Sequence, residues 1–271
     1  MKTQAHLDRT LEYTLELNAT PQEVWDAIAT ADGLKSWFSY DAKVIPGNEG
    51  SIWLAWGPDC AGEVPITIWE PLHRLRTTEH RAPYGDPSLP PVDINVQYTI
   101  ESREGKTILT LVHSGMGPEA GWDGEYHATA ADWPWFLQNL QHLVEVHPGV
   151  VREVVSFAVP FKIPGAELWS MALDLGADAG TLREGQPYDL KLFGRQALNG
   201  VVKMLNPEKR FMGTIDAMNQ AMLVLTVRDK GESSKLEVEL STFNVDEADV
   251  KRTKQDWLAR LKELGGKIAR E

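Results

Sequence analysis

His113 is the titratable side chain best placed for chemistry, because it ends the alternation Leu109, Leu111, His113 in the run TILTLVHSG. A period of two puts all three on one face of a strand. An imidazole on a leucine face can donate to a ligand oxygen, accept from a ligand donor, or carry a proton as acid or base. No nucleophile stands at a spacing that fixes it beside this ring, so a polar wall is expected rather than a catalytic base. Asp123, Glu125 and His127 alternate through GWDGEYH and, with His113, are metal-ligating types. Their spacing lacks the tight recurrence of HExxH or paired CxxC, and neither a metal nor another cofactor is expected. No GxGxxG or GxxxxGK[ST] follows a strand and GxSxG is missing, which removes nucleotide-phosphate cradles and the hydrolase elbow. Cys60 is the single cysteine, so there is no intrachain disulfide and no thiolate cluster, as in a reducing compartment.

The elements that must position these groups are legible from the start of the chain. Leu11, Tyr13, Leu15 and Leu17 alternate as in a strand with one buried face. Thr20 is a helix N-cap type, Pro21 suits the first helical position, and Glu23 completes a capping box. Val24, Trp25 and Ile28 then form one apolar stripe, and a second helical turn ends in Trp37-Phe38. Breakers from Pro46-Gly47 to Gly105 divide residues 39–115 into short runs rich in Ile, Val, Thr and Trp, the signature of an antiparallel meander. In one of them Ile94, Val96, Tyr98 and Ile100 share a face. The stretch GMGPEAGWDGEYH reads as a loop. Helical spacing follows at Trp133, Phe136, Leu137, Leu140 and Val144, with Pro134 expected in the first turns of a long helix laid across the sheet.

Taken in order, TLEYTLELNATPQEVWDAIATADGLKSWFS, IPGNEGSIWLAWG, IWEPLHRLRTTEH, TILTLVHSG and DWPWFLQNLQHL resemble the START-like (SRPBCC, birch-pollen-allergen-like) superfamily. Within it the pattern is most similar to homologues of the heat-shock-protein-90 ATPase activator's C-terminal domain, over roughly residues 8–147. The resemblance implies an α+β helix-grip fold, a curved antiparallel sheet wrapped on a long C-terminal helix. It also implies a cavity between sheet and helix, lined by Trp37, Phe38, Trp53, Trp69, Tyr98, His113, Trp133, Phe136, Leu137 and Leu140. A mostly aromatic pocket with a few polar groups suits a flat, apolar small molecule. The loop APYGDPSLPP joins two strands on this plan, as a hairpin connection or a lid.

The second half repeats the plan. ATPQEVWDAI matches KIPGAELWSMA, WEPLHRL matches LNPEKRF, KTILTLVHS matches SKLEVELST, and ADWPWFLQNL matches QDWLARLKEL, in the same order. The separations shrink, so the second copy is expected to lack loop and either one strand or the second short helix. Two tandem domains result, 1–147 with the cavity and a shortened 150–271, joined by a short His147-Pro148-Gly149 linker. Eight of the ten tryptophans precede residue 148; Trp169 and Trp257 are the two that recur at anchor positions, so the surplus rings mark the first copy for ligand contact.

The net charge of −12 also belongs to the first half, where residues 1–148 hold 9 Lys and Arg against 21 Asp and Glu, while the remainder balances 18 against 18. Such a surface repels phosphate backbones and anionic headgroups, so nucleic acid and membranes are not expected partners. There is no run of apolar residues long enough to span a bilayer, and MKTQAHLDRT lacks a basic start with an apolar block; a cytoplasmic location is expected. The function expected is non-enzymatic binding of a hydrophobic or aromatic small molecule in the first domain. The resemblance leaves two alternatives. One is a chaperone-associated cofactor or stress-response regulator, with a chaperone or other protein as partner; the other is a cyclase- or hydrolase-type enzyme using His113 and Tyr98 as acid and base.

Overall fold

The alternation of Leu11, Tyr13, Leu15 and Leu17 forms strand β1 (Arg9–Leu17) in the computed structural model, which describes residues 9–57, 59–173, 182–194 and 196–268. The backbone divides into two units, residues 1–151 and 152–271. In the first, β1 leads to helices α1 (Pro21–Ala29) and α2 (Ala31–Lys35). Strands β2 (Asp41–Ile45), β3 (Ser51–Gly57), β4 (Cys60–Glu70), β5 (Arg74–Arg81), β6 (Val92–Arg103) and β7 (Lys106–Met116) follow, then helix α3 (Asp123–Val146). The sheet runs β1-β7-β6-β5-β4-β3-β2 with every neighbour antiparallel, and α3 lies on one face of it: the helix-grip arrangement.

The capping box at α1 is formed. Thr20 Oγ1 accepts from the Glu23 amide at 3.2 Å and the Glu23 carboxylate accepts from the Thr20 amide at 2.7 Å. Such a cap stabilises a helix end by about 1 kcal/mol. It aims Val24, Trp25 and Ile28, all buried, at the sheet.

Two expectations about α3 are corrected. Part of the stretch read as a loop is helical: Ala120–Trp122 is a 3₁₀ turn and α3 begins at Asp123. Asp123 and Glu125 lie in its first turn, where the helix dipole favours negative charge, and Arg9 and Arg81 hold them there. Pro134 consequently sits in the helix interior rather than in its first turns. The carbonyl of Ala130, which a residue with an N–H at position 134 would bond, accepts instead from the Tyr13 hydroxyl at 3.2 Å. A polar contact from β1 thus compensates part of the proline's cost, a long-range effect that helical periodicity does not contain.

The second unit follows the same order with fewer parts. It comprises β8 (Glu153–Phe161), α4 (Gly165–Leu173), β9 (Pro187–Leu192), β10 (Gln196–Asn206), β11 (Arg210–Ile215), β12 (Ala221–Asp229), β13 (Ser234–Thr242) and α5 (Glu247–Ile268). Its sheet runs β8-β13-β12-β11-β10-β9, one strand short of the first. The counterpart of β2 is missing from the described residues; the place where a second short helix would fall includes residues 174–181, outside the described residues.

The internal repeat reaches down to turn geometry. Between β4 and β5, Pro71 is followed by Leu72 at φ +67°, and between β10 and β11, Pro207 is followed by Glu208 at φ +64°. His73 N bonds Glu70 O at 3.0 Å and Lys209 N bonds Asn206 O at 3.1 Å. Proline followed by a left-handed residue is the type II turn, here with a side chain where glycine is usual. Trp25 and Trp169 are buried on α1 and α4, and Trp133 and Trp257 on α3 and α5. No described helix of either unit is long and apolar enough to cross a membrane.

Candidate functional site

Alternation decides which strand residues can face α3. On β7 the inward set is Thr107, Leu109, Leu111 and His113. In register beside it lie Leu17, Leu15, Tyr13 and Leu11 of β1, and Tyr98 and Val96 of β6. His113 is directly opposite Val96, and Val96 is opposite Thr77 of β5. From the helix, Trp133 Nε1 donates to His113 Nδ1 at 3.0 Å.

An indole N–H only donates, so His113 Nδ1 is the acceptor and the neutral ring carries its proton on Nε2. That Nε2 is sealed from solvent and has no hydrogen-bond partner. Burial, reinforced by the Arg81 charge and opposed by Glu125, brings the His113 pKa from 6.5 down to about 4. The ring is therefore neutral at physiological pH, with one donor unused.

Around Trp133 the rings are contiguous. Phe38 stacks on Trp133 with centroids 5.5 Å apart and planes within 1°. It also meets Phe136 at 4.8 Å, Trp56 at 5.2 Å and Trp37 at 4.9 Å. Aromatic pairs of this kind contribute about 0.5–1.5 kcal/mol each beyond area burial. Trp133 and Trp37 are buried, whereas Phe38, Phe136 and Trp56 each keep a solvent-facing part. Trp37 spends its only polar atom on Ala27 O at 2.9 Å, as a packing residue does. Leu137 and Leu140 are buried on α3.

Two expected wall residues lie elsewhere. Trp53 is on the opposite face of the sheet: it pairs with Lys43 and Glu63, and the Lys43 ammonium sits 4.9 Å from its ring. The inward residues of β3 are Ile52, Leu54 and Trp56, so Trp56 holds the place assigned to Trp53; the alternation Ile52, Leu54, Trp56 was the available signal. Trp69 does face inward, but it meets Trp25 of α1 edge-on at 5.1 Å, away from the Phe38 rings. Tyr98 is buried in the same cross-strand row as Leu75 and Leu111, and burial raises its pKa, which makes it a weak acid or base at neutral pH.

Sequence reasoning missed the polar end of this layer. Glu79 and Arg81 alternate with Leu75 and Thr77 on the inner face of β5. Arg81 Nε donates to Glu79 Oε2 at 2.7 Å, and its two terminal nitrogens donate to the Glu125 carboxylate as a bidentate pair. Burial opposes the guanidinium charge, yet the bonds to Glu125 and Glu79 outweigh it and raise the Arg81 pKa. The Arg81 guanidinium also lies 4.0 Å from the ring of Tyr84, in the loop 82–91. That loop packs against the 3₁₀ turn so closely that a Cβ at Gly121 would come within 2.7 Å of Leu89. Glu125, read from sequence as a metal-ligating type, is thus committed to an arginine. Among the described residues no three metal-ligating side chains converge. The signal for the triad was an arginine at an inward strand position, which has to be paired.

Cavities of about 440 Å³ beside Asp26, Gly33 and Leu143, and about 470 Å³ beside Thr20 and Lys106, are lined by none of the clustered rings. Phe38 and its four ring neighbours instead pack on one another beside α3.

Residues 18–145 match the family model described as activator of Hsp90 ATPase homolog 1-like protein. None of the curated proteins matches the chain. Among solved structures, the Aha1 dimer from Colwellia psychrerythraea is 19% identical over 52% of this chain and 99% of that one, with a TM-score of 0.43. DynU16 of the dynemicin biosynthetic locus is 14% identical over 95% and 98% of the two chains, TM-score 0.43. BexL, a di-domain ARO/CYC from the BE-7585A biosynthetic pathway, is 15% identical over 87% and 85%, TM-score 0.43.

Proposed function

We propose, from the premise that residues 18–145 carry the fold of the Hsp90-ATPase-activator-homologue-like family, that the first unit binds a small aromatic or otherwise hydrophobic molecule between its sheet and α3, without catalysing a reaction. The row of residues that crosses the sheet at His113 differs between the two units. Counted from the paired strand ends Leu17–Thr107 and Phe161–Ser234, the row Leu11, His113, Val96, Thr77 of the first unit corresponds to Val155, Leu240, Leu223, Gly213 of the second. Leu240 and Leu223 are 0% and 1% exposed, and Gly213 is closed over by the rings of Phe211 and Tyr188. His113, Val96 and Thr77 stay partly open although they face the helix.

The same position in one fold is therefore a filled core in one copy and a partly open floor in the other. The rings above that floor offer stacking area, and Phe38, placed just after the short helix α2, is the ring whose rotation makes room for a ligand against Trp133. Titration of the protein with fluorene, followed by tryptophan fluorescence, tests this. Saturable quenching that Phe38→Leu and Trp133→Phe both alter, and that Trp257→Phe does not, is expected. Absence of saturable binding by fluorescence and calorimetry alike would show a closed core.

A further inference from the structure

Resting on that binding reading, we propose that Trp133 and His113 act as a pair that makes the site selective for uncharged ring compounds bearing an acceptor oxygen, such as an aryl ketone. The selectivity comes from a fixed tautomer. Trp133 Nε1 has nothing to offer but a proton, so its 3.0 Å bond to Nδ1 holds the imidazole proton on Nε2. Nε2 is buried and has no partner, which leaves a single oriented donor at the side of a stack of rings. A buried donor without an acceptor is costly, and a ligand that supplies the acceptor recovers that cost on binding.

Charge restricts the ligand further. The cation close enough to act on His113 is Arg81, and both faces of its guanidinium fork are taken by Glu79 and Glu125, so the triad carries a net negative charge. A carboxylate or phosphate entering here meets the carboxylates of Glu79 and Glu125, with the Arg81 guanidinium already bonded to both. An amine finds a hydrogen-bond donor where it needs an acceptor. A carbonyl or ether oxygen on a flat ring system meets neither obstacle.

Fluorene and fluorenone differ by the carbonyl alone, and fluorene-carboxylic acid adds the charge. Calorimetry on the full chain at neutral pH should give fluorenone about ten-fold tighter binding than fluorene, the value of one hydrogen bond to a buried donor. The carboxylate should bind more weakly than fluorenone. His113→Leu should bring the fluorene and fluorenone affinities together, and Trp133→Phe, which frees the tautomer, should narrow their ratio. Nitrogen-15 spectra of histidine-labelled protein give an independent readout: the wild type should show His113 as the Nε2–H tautomer, and Trp133→Phe should lose that signature. Equal wild-type affinities for fluorene and fluorenone, or an Nδ1–H tautomer, would overturn the selectivity while leaving the carrier reading standing. Failure of all three compounds to bind would overturn the carrier reading itself.

Discussion

The hydroxyl of Tyr13 donates to the main-chain carbonyl of Ala130, the acceptor that Pro134 leaves without its helical partner. A strand residue thus completes the hydrogen bonding of a helix whose own sequence prevents it from doing so. The contact also joins β1 to the middle of α3, one turn before Trp133. It fixes the height at which that indole meets His113.

Tyr13→Phe should therefore cost about 1 kcal/mol, the net value of one such bond with its acceptor left half-buried. In a Pro134→Ala background the helix supplies its own donor to Ala130, so the same substitution should cost measurably less. Urea unfolding of the four proteins gives the coupling as a double-mutant cycle. Equal costs in the two backgrounds would mean that the hydroxyl does not serve the proline's orphaned carbonyl.

How much could be read beforehand depended on the range of the interactions. The order of elements, the capping box at Thr20, the face shared by Leu109, Leu111 and His113, and the recurrence of Trp25 at Trp169 are local patterns with a fixed period. The tolerated position of Pro134 depends on Tyr13, far away in the chain, and the ion triad joins Arg81 of β5 to Glu125 of α3, 44 residues further on. Neither has a periodicity. Trp53 and Trp56 differ in kind: both lie on one strand, and parity alone puts one against Lys43 and the other beside Phe38.

The two left-handed turn residues allow a test of the repeat. Glu208 is exposed at φ +64°, where a side chain crowds its own backbone and glycine does not. Glu208→Gly should stabilise the second unit by about 0.5–1 kcal/mol. Leu72→Gly should yield less, because Leu72 is partly buried at φ +67° and its side-chain contacts are lost. Thermal unfolding of both variants checks the order.

The triad should be strongly asymmetric toward truncation. Arg81 and Glu125 have side chains 16% and 15% exposed, so removing the arginine leaves two carboxylates facing each other in poor solvent. Arg81→Leu should destabilise by about 2–3 kcal/mol, somewhat below the loss for a fully buried pair. Adding Glu79→Gln and Glu125→Gln to Arg81→Leu should recover part of that loss, since the uncompensated charges go with them. Denaturant midpoints of the single and triple variants measure it.

Parity on β3 separates the two tryptophans by function. Trp56 touches Phe38 edge-on at 5.2 Å and donates to its carbonyl at 2.9 Å, whereas Trp53 lies under Lys43 on the outer face. Trp56→Phe should change the fluorene affinity several-fold, because it loosens Phe38, the ring that has to turn for a ligand to enter. Trp53→Phe should leave the affinity within error of wild type. A reversed order in calorimetry would mean that the ligand uses the outer face of the sheet.

Stability should depend on pH through His113, in the direction set by which state takes up the proton. Burial, with Arg81 acting in the same direction and Glu125 against it, holds folded His113 near pKa 4, against 6.5 when the chain is open. Between those values the unfolded chain binds a proton at this residue and the folded chain does not, so stability rises with pH across the window and levels off above it. The whole effect is about 3 kcal/mol at most, since one pH unit of differential binding is worth about 1.4 kcal/mol. His113→Gln presents a neutral amide at every pH and should lose this contribution, so its stability should fall less than that of wild type between pH 6.5 and 4. Other groups titrate equally in both proteins, and the difference between the two urea-unfolding curves isolates the imidazole. Parallel curves would show that His113 is charged in the folded protein, and an imidazolium there would carry protons on both nitrogens and could not accept from Trp133.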